Sequence, residues 1–201
     1  MDIQRDSIFP IEVFQIALHN SDEINNNILT QLYASVEYKE YSKNKLTYKN
    51  FSVPATKMNT VQYVLMRATS IIKSLTKQTL KIDDNNWWFN IMQAGQLIKA
   101  HNHSPGPVWS GVYYVKAPAG SGKICFTHSR THIKEPTILP SGKKTNYYKY
   151  IGQHYPDKSY PATEGTMLIY SSWVDHKVSM HCVPESRIAI SFNLTYPFSI
   201  L

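Results

Sequence analysis

The chain has 201 residues, 42% of them hydrophobic and 17% charged, which suits one folded, soluble domain with a substantial core. No apolar run approaches the ~20 residues of a membrane span, and Met1–Asp6 carries no basic head followed by an apolar stretch, so the cytoplasm is the expected compartment. The net charge of +7 lacks the dense basic stripe with interleaved aromatics of a nucleic-acid binder, and two cysteines without CxxC spacing argue against a cysteine zinc site.

Residues 7–18 alternate apolar and polar side chains after Pro10, which predicts a strand. Ser21 is the expected cap of a helix with Asp22 and Glu23 in its first turn; Ile24, Ile28, Leu32 and Val36 carry it to about residue 37. Residues 38–58 are polar with no clear period. A second helix is predicted over 60–76, with the stripe Val61, Val64, Leu65, Ala68, Ile72 and Leu75, while Arg67, Lys73 and Lys77 face water. Both stripes are one-sided, as in helices laid against a sheet.

From Trp87 the pattern turns to strands, over Trp87–Gln93, Leu97–His103 and Ser110–Lys116. Pro118–Gly122 is a turn, and Lys123–Phe126 returns. Residues 129–163, polar and interrupted by proline, read as a long insertion that serves as a lid or binding loop. Lys143, Lys144, Lys149 and Lys158 there are either a solvated basic face or an attraction for an anionic substrate or cosubstrate. Three more strands come next, Met167–Tyr170, Trp173–Cys182 and Arg187–Tyr196. Cys125 and Cys182 are expected inside strands as small buried thiols. The pattern as a whole is α+β, mainly β: an antiparallel sheet closed into a barrel or sandwich, with two N-terminal helices packed on it. The expected organisation is a single domain, with 1–86 as N-terminal strand and helices and 87–201 as the β core.

The chemistry-bearing stretch is His101-Asn102-His103. On a strand, residues at i and i+2 share a face, and two imidazoles on one face can bind one metal ion. A catalytic metal of this kind takes three protein ligands on one side and leaves positions open. His19, His128, His132, His154, His176 and His181 are the remaining candidates. His176 stands out because of the segment on its C-terminal side. A hairpin turning at Pro184-Glu185 places Cys182 opposite Arg187 and His176 opposite Asn193, all on one face. In that strand Arg187, Ala189, Ser191 and Asn193 alternate with Ile188, Ile190, Phe192 and Leu194, so one side packs and the other lines a cavity. A guanidinium there clamps a carboxylate through two parallel hydrogen bonds. Asp175, next to His176, is expected to face away.

These residues resemble a known family. Ile8-Phe9-Pro10, Trp88-Phe89-Asn90, His101-x-His103-Ser-Pro, Ser110-Gly-Val-Tyr-Tyr-Val115, Ser121-Gly-Lys-Ile-Cys-Phe126, Pro161–Gly165 and the segment Thr166–Asn193 are similar, in order, to the 2-oxoglutarate and iron(II)-dependent oxygenases, in a small group common in marine bacteria and their phages. The same motif order occurs in prolyl 4-hydroxylase-like enzymes. The resemblance implies a double-stranded β-helix (jelly roll, cupin-like). It implies iron(II) at the mouth, 2-oxoglutarate and dioxygen as cosubstrates, ascorbate as accessory reductant, and hydroxylation of a peptide or small molecule. His101 and His176 become metal ligands, Arg187 and Tyr114 the holders of the far carboxylate of 2-oxoglutarate, and Asn90 a pocket residue. The wider superfamily has Asp or Glu where His103 stands. His103 therefore either completes a three-histidine triad or leaves a coordination position vacant. Other readings are a three-histidine dioxygenase that does not use 2-oxoglutarate and a non-catalytic jelly-roll binding protein. A homodimer is left open. The abundance of Lys, Asn, Ile and Tyr suits an AT-rich phage or marine genome, and host cytoplasm for a phage-encoded chain.

Overall fold

The computed structural model describes residues 11–44, 50–51, 58–127, 134–138, 144–150 and 158–197. The strands are β1 Val13–Ala17, β2 Asn50–Phe51, β3 Trp87–Met92, β4 Ile98–His101, β5 Trp109–Lys116, β6 Ile124–Phe126, β7 Lys134–Ile138, β8 Lys144–Tyr150, β9 Lys158–Tyr160, β10 Thr166–Ser171, β11 His176–Val178 and β12 Arg187–Leu194. The helices are α1 Ser21–Ala34, α2 Val36–Asn44 and α3 Asn59–Thr76. One sheet runs β1-β10-β5-β12-β3-β2 and a second β4-β11-β6-β9, with antiparallel pairing throughout. This is the double-stranded β-helix expected from the sequence.

Alternation in the large sheet builds two cores. Trp87, Phe89 and Ile91 of β3, Trp109, Tyr113 and Val115 of β5, Met167 and Ile169 of β10, and Ile188, Ile190, Phe192 and Leu194 of β12 pack with the helix stripes. Those stripes are Ile24, Ile28 and Leu32 of α1 and Val61, Val64, Leu65, Ala68 and Ile72 of α3. The period of two sends Val112, Tyr114, Leu168, Tyr170 and Ala189 to the other face, where they meet Ile124 and Phe126 of the small sheet. A full burial of Ile, Leu or Phe stabilises by roughly 1.5–3 kcal/mol. A one-residue slip would move both sets to the wrong side, so the register is strongly specified. The Tyr113 hydroxyl donates to Asn25 Oδ1 at 2.8 Å, which satisfies both buried groups and ties β5 to α1.

The helices depart from the sequence reading at their ends. α1 stops at Ala34 because Ser35 is extended (φ −67°, ψ 148°). The Ser35 hydroxyl then accepts the Tyr38 backbone N–H at 3.2 Å and caps α2, in the polar segment that shows no period in sequence. Val36 and Leu75 are exposed rather than part of the stripes. Ser21 opens α1 and is not its cap. Asn20 holds that position in the left-handed conformation, and the Ser21 side chain lies against Gly165.

The expected hairpin across Pro184-Glu185 does not form. β11 is only His176–Val178 and pairs with β4 and β6, whereas β12 pairs with β3 and β5. The bend at 183–185 therefore carries the chain from one sheet to the other. Arg187 faces Met92, and Asn193 faces Ser110, whose hydroxyl donates to Asn193 Oδ1 at 2.7 Å. Cys182 lies outside any strand and is exposed, and Cys125 on β6 is half-buried; both are free thiols, so the buried pair inside strands is not found. Within 129–163, β7 pairs with β8 and β9 extends the small sheet beside β6, so the segment ends as part of the sandwich. Lys143, His128, His132, His154 and residues 7–10 of the predicted first strand lie outside the described residues.

Gly111 marks the tightest approach in the large sheet. A Cβ there would stand 2.4 Å from the Phe192 ring and 2.9 Å from the Leu168 carbonyl oxygen. Overpacking costs about 1–3 kcal/mol. At about 3 °C per kcal/mol for a domain of this size, Gly111→Ala is expected to lower the melting temperature by roughly 3–9 °C. An unchanged melting curve would show that the sheet yields freely there.

Candidate metal centre

In the small sheet His176 stands directly opposite His101 across the β11–β4 pairing. His101 is the last residue of β4, and His103 lies beyond the strand end, so strand alternation does not place it, contrary to the expectation from sequence. Its position comes from the path of the next turn. The His103 backbone N–H donates to the Ser172 carbonyl at 2.9 Å, and Asn102 Nδ2 donates to Asp175 Oδ1 at 2.7 Å. These bonds press the turn against the β10–β11 connection. The ring centroids are 4.4 Å apart for His101 and His176, 5.2 Å for His101 and His103, and 5.3 Å for His103 and His176.

One nitrogen from each ring lies within 4.8 Å of the other two. Metal–imidazole bonds of ~2.1 Å hold neighbouring ligand nitrogens ~3 Å apart, so small side-chain rotations close the cluster on one ion. The outward nitrogens are already engaged. His101 Nδ1 lies 2.9 Å from the Lys99 carbonyl oxygen and His176 Nδ1 3.0 Å from that of Val174. A carbonyl only accepts, so each Nδ1 carries a hydrogen, and in the neutral form of such a ring Nε2 presents a lone pair. Burial, reinforced by His101, pushes the His103 pKa down to about 4. His176 is also lowered to about 4, by burial first and then by His101 and His103, against the raising effects of the Val174 carbonyl and Asp175. Both are therefore neutral near pH 7, the form a metal requires. Among the described residues no carboxylate joins the cluster, and Asp175 is turned to Asn102, as expected.

The histidines open into a cavity of about 430 Å³, whose wall also includes Trp88, Asn90, Tyr170, Ser191 and Arg187. Arg187 is 1% exposed. Its Nη1 reaches Met92 Sδ at 3.1 Å, its guanidinium carbon stands 5.1 Å from the Tyr114 ring centre, and its Nε has no hydrogen-bond partner. Among the described residues no carboxylate pairs with it. The Tyr114 hydroxyl is buried beside that guanidinium, its hydrogen-bonding neighbour at less than full geometry. Burial raises its pKa, and the guanidinium beside it pulls part of the way back. A buried cation without a counter-charge is costly unless an anion enters. The donor set thus fits a carboxylate at this end and a metal at the histidine end. Of the six residues singled out in the sequence, His101, His103, His176, Arg187 and Asn90 line one cavity, while Tyr114 does not line it and stands against the Arg187 guanidinium. Tyr170 is the residue that sequence reasoning misses, and its hydroxyl lies 3.1 Å from His176 Nε2. The sequence offers no signal for it, because a tyrosine in Met167-Leu-Ile-Tyr170 reads as core.

The chain is thus a jelly roll that carries a histidine cluster able to hold a metal ion and a buried guanidinium on one cavity. Residues 86–193 match the family described as "Putative 2OG-Fe(II) oxygenase". The chain belongs to that family, and its cofactors are iron(II) and 2-oxoglutarate. By sequence, no curated protein matches the chain. Solved structures similar to it include a Pseudomonas putida prolyl-4-hydroxylase, at 11% identity and TM-score 0.55 over 92% of this chain and 88% of that one. HygX from Streptomyces hygroscopicus, with nickel and 2-oxoglutarate bound, matches at 9% identity and TM-score 0.62 over 92% and 83%. A Trichoplax adhaerens prolyl hydroxylase, in complex with a peptide fragment of hypoxia inducible factor, matches at 11% identity and TM-score 0.59 over 91% and 83%. Identities at this level carry the fold alone.

The two depressed histidines link stability to pH. Their folded pKa values lie near 4, below the ~6.5 of an unfolded chain. Between these values the unfolded state takes up protons that the folded state refuses. The metal-free chain should therefore hold this contribution above about pH 6.5 and lose it as pH falls towards 4. Urea midpoints across pH 4–7 should show the loss, with a shallower slope in His176→Asn. An identical slope would mean that His176 is not held neutral.

Proposed function

We propose that this chain is an iron(II)- and 2-oxoglutarate-dependent hydroxylase of a peptide or small-molecule substrate, with His101, His103 and His176 as metal ligands. The observation that carries the reading is the pairing, on one cavity, of three converged imidazoles with a buried guanidinium that meets no carboxylate among the described residues. When bound, iron(II) with 2-oxoglutarate and dioxygen supplies the oxidation, in which 2-oxoglutarate loses carbon dioxide to become succinate and one oxygen atom goes to the substrate.

The residues have separate tasks. His101 and His176 offer Nε2 lone pairs with ring orientation fixed by the Lys99 and Val174 carbonyls. His103 takes the position that the wider superfamily gives to a carboxylate. Three neutral imidazoles leave the full charge of the ion uncompensated, which strengthens its pull on an anionic chelator and weakens its retention when none is present. Arg187 holds the far carboxylate, and the Tyr114 hydroxyl donates to the same group. Asn90 and Trp88 shape the wall beside them. The depth of Arg187 also favours a 2-oxoglutarate enzyme over a three-histidine dioxygenase, which has no use for a buried cation facing the metal.

Incubated with iron(II), oxygen and 2-oxoglutarate, the chain should form succinate, and His176→Ala should abolish this with loss of bound metal. Arg187→Met should weaken 2-oxoglutarate binding by about 100-fold or more, the size of two lost charge-assisted hydrogen bonds. Full retention of 2-oxoglutarate affinity in Arg187→Met would remove that residue from its assigned role.

A further inference from the structure

Tyr170 sits on β10, held between β1 and β5 by its pairings with Val13 and Ser110. Its ring packs edge-on against Phe126 at 4.8 Å and His176 at 4.9 Å, and the residue is 4% exposed. Its hydroxyl lies 3.1 Å from His176 Nε2. Because His176 Nδ1 already donates to the Val174 carbonyl, Nε2 of the neutral ring has only a lone pair, and Tyr170 must be the donor. That lone pair is the one a metal would take. Phenol and metal therefore compete for one pair of electrons.

We propose that Tyr170 is a cosubstrate-contacting residue that couples metal binding to 2-oxoglutarate binding. In the metal-free chain its hydroxyl occupies the His176 lone pair. A metal ion at Nε2 displaces that hydrogen bond and leaves a buried O–H without an acceptor, since among the described residues it has no other. An unsatisfied buried hydroxyl is unfavourable. A carboxylate of 2-oxoglutarate entering the cavity that Tyr170 lines would relieve it by accepting that O–H. Metal alone thus binds against Tyr170, and cosubstrate binds with it. No proton changes hands; the hydroxyl only changes acceptor. The inference rests on the histidine cluster being the metal site.

The test is calorimetric titration of nickel(II), as a redox-silent probe, into the metal-free chain, and then of 2-oxoglutarate into the nickel-loaded chain. It is done for wild type, Tyr170→Phe and His176→Ala. Tyr170→Phe should bind nickel about fivefold tighter, because one competing hydrogen bond is gone. The loaded variant should bind 2-oxoglutarate about tenfold more weakly, because a hydrogen bond to a charged group is lost. The opposite signs separate this role from a structural one, since a loosened site would weaken both. Unchanged affinities, or weaker nickel binding, in Tyr170→Phe would overturn the coupling while leaving the metal centre intact. If His176→Ala bound nickel as tightly as wild type, the metal centre would fail, and the coupling with it.

Discussion

The cross-strand pair His176–His101 is the contact on which the site depends. β11 is short, and its register against β4 and β6 decides which way the His176 ring points. A slip of one residue would turn Lys177 inward and carry the imidazole to the opposite face. The flanking Val174 and Val178 are both buried, which resists that slip. Asn102 and Asp175 join the two loops next to the pair, and the Ser172 hydroxyl donates to the Pro107 carbonyl beside them. His103 is delivered by this bracing, not by a strand.

The large sheet sustains a polar interior by dividing its faces. One face takes the helix stripes and the larger share of the bulky apolar side chains, from Trp87 to Leu194. The other face is then free to carry Arg187, Asn90, Ser191 and Tyr170 towards the cavity. Arg187 is the sharpest case. A cation at 1% exposure that meets Met92 Sδ and the Tyr114 ring, with no carboxylate among the described residues, is unfavourable without a counter-charge. Stability gained on the helix side keeps it in place, and under the proposed function an entering carboxylate would convert the deficit into affinity.

Much of this is legible in the residues. The alternation Arg187–Leu194 marks both faces of β12 correctly, because a period of two is a local property. The stripes of α1 and α3 are equally plain, apart from Val36 and Leu75 at their ends. The path from His176 to Arg187 is not legible, because Pro184-Glu185 looks the same in a hairpin turn as in a crossing between sheets. Only long-range pairing with β3 to β6 distinguishes them. The cysteine placement fails with it. Spacing identifies His103, yet for a reason the backbone does not support. Tyr170 is invisible, since nothing in its neighbours shows that a ring on β10 ends beside a nitrogen on β11.

The central claim is that three imidazoles from β4, its adjoining turn and β11 hold one ion. X-ray absorption on the iron(II)-loaded chain counts imidazole rings around the metal directly. Three rings on a single iron are expected, falling to two in His103→Ala. Two rings in the wild type would remove His103 from the site, and one or none would contradict the convergence of the three histidines itself.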